Sequence, residues 1–173
     1  ALPQVISEIS QVETQFPGSK KLVNEDFNRQ SLERELNQTV YPVIHIATHG
    51  QFGTIPEDTF LVTGNNEKLT ITELEAALRR ANRGKSVELL ALTACQTGVG
   101  DDRAALGLAG LAVQAGARSA LASLWFVADD STKILVTEFY KNWLSSDMSK
   151  AEALSLAQRQ LIKIGRAHVW TPV

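Results

Sequence analysis

Two side chains in this sequence could form a nucleophile and its base. Cys95 is the single cysteine of 173 residues, and it follows the apolar run Leu89-Leu90-Ala91-Leu92-Thr93-Ala94. His49 ends a second such run, Val43-Ile44-His45-Ile46-Ala47-Thr48, and Gly50 comes next. A thiol beside an imidazole is the pairing of a cysteine nucleophile, because the thiolate attacks and the imidazole carries the proton. Buried strands that each release one reactive side chain at the C-terminal end are how an open parallel sheet builds an active site. By residue type alone a free cysteine is more often a small buried hydrophobe. Position argues for function here. Cys95 stands at a predicted strand end, before a polar Gln96-Thr97-Gly98 turn whose backbone N–H groups could lower a thiol pKa and hold an oxyanion.

The histidines allow a metal reading, and the sequence argues against it. His45 and His49 have the spacing of a zinc-binding helix, but Ile46 stands where that pattern needs its glutamate base. The segment is β-branched and reads as a strand, which would set the pair ~13 Å apart at ~3.3 Å per residue. Two such residues do not share one metal. His45, between Ile44 and Ile46, reads as a hydrogen-bonded core or supporting residue. His49, before Gly50, is the better general base, and Gly50 can bring its N–H close to a substrate carbonyl.

These residues need a frame. Apolar spacing predicts a helix over 4–15, stopped by Phe16-Pro17-Gly18-Ser19. A short strand is expected at Lys20-Lys21-Leu22-Val23. Asn28 caps a helix to about Gln38. Strands are expected over 41–47, 60–62, 86–93 and 117–125. Thr70 and Glu73 form a capping box for a helix over 73–81. Loops are expected over 51–56 and 97–103. Residues 104–115, rich in Ala, Gly and Leu, read as a buried helix. Asp130 or Ser131 caps a long helix through Tyr140 and Trp143, and Ser149 caps another over 150–163. Alternating strands and helices predict a mainly parallel α/β sheet without an internal repeat or linker.

Composition narrows the class. A hydrophobic share of 44% and a charged share of 21% suit one domain with a packed core. A formal charge of -2 gives no footprint for nucleic acid or an anionic membrane. One cysteine excludes an internal disulfide, and a lone thiol suits a reducing, cytoplasmic setting. Neither a membrane span nor a signal peptide is readable. The first residue is not Met, so the natural start is expected upstream.

The last ten residues, 164–173, interrupt the helical pattern. Ile-Gly-Arg-Ala-His-Val-Trp-Thr-Pro-Val is also one reading frame of a widely used sequencing adapter, with TGA read as Trp. The expectation is a non-biological tail, with the domain over 1–163 and its C-terminal part truncated.

Thr48-His49-Gly50 and Ala94-Cys95-Gln96-Thr97-Gly98, in that order after apolar strands, resemble the CHAT domains, caspase-like cysteine peptidases related to separases. Ala115-Gly116-Ala117-Arg118-Ser119, the stretch Ala122-Ser123-Leu124-Trp125-Phe126-Val127-Ala128-Asp129-Asp130-Ser131 and the helix around Phe139-Tyr140 extend the resemblance to about residues 2–163. It implies a caspase-like α/β fold, a mainly parallel central sheet flanked by helices. It also implies a His49/Cys95 dyad with no third catalytic residue, and an oxyanion held by the N–H groups of Gly50 and Cys95. No cofactor and no metal are implied. The partner implied is a protein substrate. Family members often add N-terminal tetratricopeptide repeats and a further strand segment beside the cleft, so an activating partner or a repeat region is a further expectation.

Ser123 and Trp125, near the end of the predicted strand over 117–125, and Asp129 and Asp130, just after it, are candidate cleft residues. So are Asp101 and Asp102, since an acid there could pair with a basic substrate side chain. A solvated loop for Asp101 and Asp102, and helix capping for Asp130, are the plainer readings. Two other functions compete with a cysteine endopeptidase. One is a catalytically silent CHAT-like scaffold. The other is a nucleotide site at Thr97-Gly98-Val99-Gly100, which lacks the Gly-Lys-Ser/Thr ending of a phosphate loop.

Overall fold

The computed structural model describes residues 3–51, 58–81, 86–93, 95–96, 112, 115–122 and 129–169. The chain forms two compact units. Residues 22–127 make a sheet unit, and residues 2–21 with 128–173 make a helical unit.

In the sheet unit, helix α2 (Arg29–Gln38) starts at the predicted cap. Asn28 is extended, and its side chain accepts the Ser31 N–H at 2.9 Å. That satisfies a donor the first turn would leave open. Leu32 and Leu36, one turn apart, are buried. Strand β1 (Val43–Ile46) alternates, with Ile44 and Ile46 turned to the core. Strand β5 (Leu89–Leu92) is buried at all four positions, as a central strand covered on both faces must be. It lies between β1 and β7 (Ala120–Ala122), and both pairings are parallel. Helix α3 (Ile71–Ala81) begins with the predicted capping box. The Thr70 N–H donates to the Glu73 carboxylate at 2.9 Å, and the Glu73 N–H donates to the Thr70 hydroxyl at 3.3 Å. Leu74, Ala77 and Leu78 of α3 join Leu32 and Leu36 of α2 against Ile44, Ile46, Leu90 and Leu92. This is a mixed α/β fold with a parallel three-stranded sheet flanked by helices, consistent with the caspase-like architecture.

A second sheet has the order β4 (Lys68–Thr70), β3 (Phe60–Val62), β2 (His49–Gln51), β6 (Cys95–Gln96). β4 and β3 form an antiparallel hairpin, β3 pairs antiparallel with β2, and β2 pairs parallel with β6.

The helical unit packs α1 (Pro3–Gln15), α4 (Asp129–Ser145) and α5 (Lys150–Val169). Val12, Val136, Phe139, Tyr140, Ala153 and Ala157 are buried in it. Phe16 meets Tyr140 edge-on at 5.1 Å. The Thr137 hydroxyl donates to the Gln11 side-chain oxygen at 2.8 Å, and the Gln15 amide donates to the Thr137 carbonyl at 3.2 Å. Burial, and after it the nearby Glu8 carboxylate, push the Tyr140 hydroxyl above its ordinary pKa. Ser149 and Glu152 form a second capping box, at the start of α5.

Four expectations change. Residues 20–23 form no strand. The chain instead runs into a 3-10 turn at Asn24–Asp26 with Asn24 at φ 51, a left-handed conformation that breaks extension. Lys68–Thr70 does form a strand. α4 starts at Asp129, so Asp130 and Ser131 lie within its first turn rather than capping it. α5 runs past Lys163 to Val169, because one Gly165 costs only ~1 kcal/mol and the first proline comes at 172. The helix expected over 104–115 lies mostly outside the described residues, though Ala112 and Ala115 are buried.

Candidate functional site

The candidate site is built on one long parallel pairing with a gap in it. β1 pairs with β5 from Val43 opposite Leu89 to Ile46 opposite Leu92. Both strands leave the described ladder after Ile46 and Leu92. They rejoin as β2 and β6, with His49 opposite Cys95 and Gly50 opposite Gln96. Every pair, before the gap and after it, joins residues 46 positions apart. The register therefore survives the interruption. His49 and Cys95 share one rung of the ladder, and neighbouring strands lie only about 4.8 Å apart.

His49 and Gln51 are exposed, and Gly50 between them is buried. β2 has a neighbour on each side. Gly50 faces Leu61 of β3 across one ladder and Gln96 of β6 across the other. Leu61 is almost wholly buried. The Thr48 hydroxyl donates to the Val62 carbonyl at 2.6 Å and ties the start of β2 to the hairpin.

Support at the gap comes from residues that carry no reactive group in the reading above. The Thr93 N–H donates to the Ile46 carbonyl at 2.9 Å and closes the first ladder. The Thr93 hydroxyl lies 3.3 Å from His45 Nε2, within hydrogen-bond reach. His45 stands opposite Ala91 in β1. It is a half-buried strand residue with a polar partner, as its flanks suggested, and not a residue on a metal-binding helix. Thr93 was not singled out by sequence reasoning. The available signal was one hydroxyl in the otherwise apolar run from Leu89 to Ala94.

Cys95 and Gln96 are extended, so Gln96 is not the start of the turn expected at Gln96-Thr97-Gly98. Pairing with β2 carries the strand two residues further than its apolar pattern does. Thr97, Gly98, Asp101, Asp102, Ser123 and Trp125 lie outside the described residues. Asp129 and Asp130 fall in the first turn of α4, in the helical unit, whereas His49 and Cys95 belong to the sheet unit.

No helix among the described residues is long and apolar enough to cross a membrane. A family model described as the CHAT domain matches residues 1–172. The comparisons with curated proteins and with solved structures return no match.

Proposed function

The chain belongs to the CHAT domain family, which is related to caspase-like cysteine peptidases, and from that membership we propose that it is a cysteine endopeptidase acting through Cys95 and His49. The observation that carries the reading is the shared rung. Residues 46 positions apart in sequence stand opposite each other as the first residues of β2 and β6, and a thiol acting with an imidazole base needs the two on neighbouring backbone.

In this reading His49 takes the Cys95 proton, and the thiolate attacks the carbonyl carbon of a peptide bond. The oxyanion accepts hydrogen bonds from the N–H groups of Gly50 and Cys95. As the tetrahedral intermediate collapses, the C–N bond breaks and the imidazolium gives its proton to the leaving amine. A C–S acyl-enzyme remains. His49 then takes a proton from water, the hydroxide adds to the acyl carbon, the C–S bond breaks and the thiol is restored. No cofactor enters. The substrate is a protein.

Alkylation of Cys95 by an iodoacetamide probe across pH tests the dyad in the full chain. Reaction well below pH 8, shifted upward by His49→Ala, is the expected result. A thiol that titrates near ~8.5 and ignores His49 would refute the dyad and favour a scaffold role.

A further inference from the structure

We propose that Thr93 and His45 form a positioning clasp that holds Cys95 and His49 on their common rung, an inference that rests on the dyad reading above. Neither residue touches the reacting atoms. Their importance lies in where the ladder is broken.

Between the rung of Ile46 and Leu92 and the rung of His49 and Cys95, the described backbone bond across the strands is the one from Thr93 to Ile46. A slip of one residue on either strand would move Cys95 off His49, because strand positions alternate with a period of two. The register nevertheless resumes with the same 46-residue offset. The contacts at the mouth of the gap are therefore the ones that carry it. Thr93 makes two of them with β1, through its backbone N–H to Ile46 and through its hydroxyl to His45. A third, from Thr48 to Val62, anchors the other strand to the hairpin.

Spacing explains why these residues and not others serve. Thr93 precedes Cys95 by two positions, about 6.6 Å of extended chain. His45 precedes His49 by four. Each member of the clasp is thus on the strand of one member of the dyad. The His45–Thr93 hydrogen bond crosses between the strands diagonally, since the residue directly opposite His45 is Ala91. A diagonal link resists sliding of one strand along the other, which a purely perpendicular contact does less well. Valine at 93 would keep the shape and the backbone bond and lose only the hydroxyl.

The test is the same pH profile of Cys95 alkylation, run on the full chain as wild type, Thr93→Val, Thr93→Ser and His49→Ala, with a thermal melt for each. The expected result is a midpoint raised by about one pH unit in Thr93→Val, which lowers the thiolate fraction about tenfold at pH values well below the wild-type midpoint. Thr93→Ser keeps the hydroxyl and should keep the wild-type profile. His45→Leu should shift the profile as Thr93→Val does, and the double variant should be no worse than either single one, because both remove one interaction. It also supplies the reading if Thr93→Val does not fold. A Thr93→Val or His45→Leu protein that melts lower but keeps the wild-type profile would overturn the clasp and leave the dyad standing. A wild-type thiol already indifferent to His49→Ala would overturn the dyad and the clasp together.

Discussion

His49 and Cys95 stand opposite each other on neighbouring parallel strands, and their separation in sequence equals that of Val43 and Leu89 at the far end of the same pairing. The two reactive residues thus belong to the outer part of a pairing whose inner part is the core of the sheet unit. Leu90, Ala91 and Leu92 are buried, so burial fixes the inner register, which the contacts of Thr93 and His45 carry outward to the site.

This link makes an insertion informative. One alanine placed between Thr93 and Ala94 leaves the β1–β5 ladder intact and shifts Cys95 by one position. The expected outcome is near-native secondary structure by circular dichroism with Cys95 alkylation falling to that of a free thiol. Alkylation unchanged from wild type would mean that the rung does not matter for reactivity.

Gly64 tests how the hairpin is seated. It lies in the turn between β3 and β4, and its N–H donates to the Phe27 carbonyl at 2.7 Å. A Cβ there would sit 1.5 Å from the Asn24 carbonyl oxygen. That oxygen belongs to the backbone and cannot rotate away. Gly64→Ala should therefore cost at least about 1–3 kcal/mol in denaturant unfolding. Gly18 is the control. It has φ +82 and open space around its missing Cβ, so its constraint is conformational. Asn tolerates that backbone region, and Gly18→Asn should cost far less than Gly64→Asn.

Glu73 gives a pH dependence. Burial raises its pKa, but the hydrogen bonds from Thr70 and the Arg29 guanidinium outweigh burial and hold it below the ordinary carboxylate value. Arg29 lies 2.7 Å from the Glu73 carboxylate and links α2 to α3. A folded-state pKa below the unfolded one means stabilisation that is present above the ordinary value of 4.5 and lost as pH falls through the lower one. Glu73→Gln should cost about 1 kcal/mol at pH 7, the scale of a helix cap. The gap from wild type should close in unfolding experiments at pH values below that range. A gap that stayed constant with pH would assign the cost to packing instead.

The sequence disclosed the parts of this protein that depend on local rules. Apolar runs marked β1 and β5, Asn28 and the Thr70–Glu73 pair marked the starts of α2 and α3, and the strand-end positions of His49 and Cys95 suggested a dyad. What it hid depends on partners. Lys68–Thr70 is too short and too polar to show a strand period, and it is a strand because Phe60–Val62 lies beside it. Leu22-Val23 looks like a strand and has no ladder partner among the described residues. Gln96 reads as the start of a turn and is held extended by β2. The division into two units was invisible because Gln15 and Thr137, which hydrogen-bond in the helical unit, are 122 residues apart.

Exposure rises along the described part of α5. Ala153 and Ala157 are buried, and α5 packs on α4 there. Further along, Ile162 is 55% exposed and Ile164 is 40% exposed. Helical geometry continues to Val169. We propose that residues 164–173 are not part of the natural domain, and that the helix extends into them because nothing before Pro172 prevents it. Removing them should change the unfolding free energy by less than about 0.5 kcal/mol, the scale of surface changes. Ala157→Leu, which forces a larger side chain between α4 and α5, should cost about 1–3 kcal/mol. A truncated chain that lost as much stability as Ala157→Leu would place those residues within the folded domain.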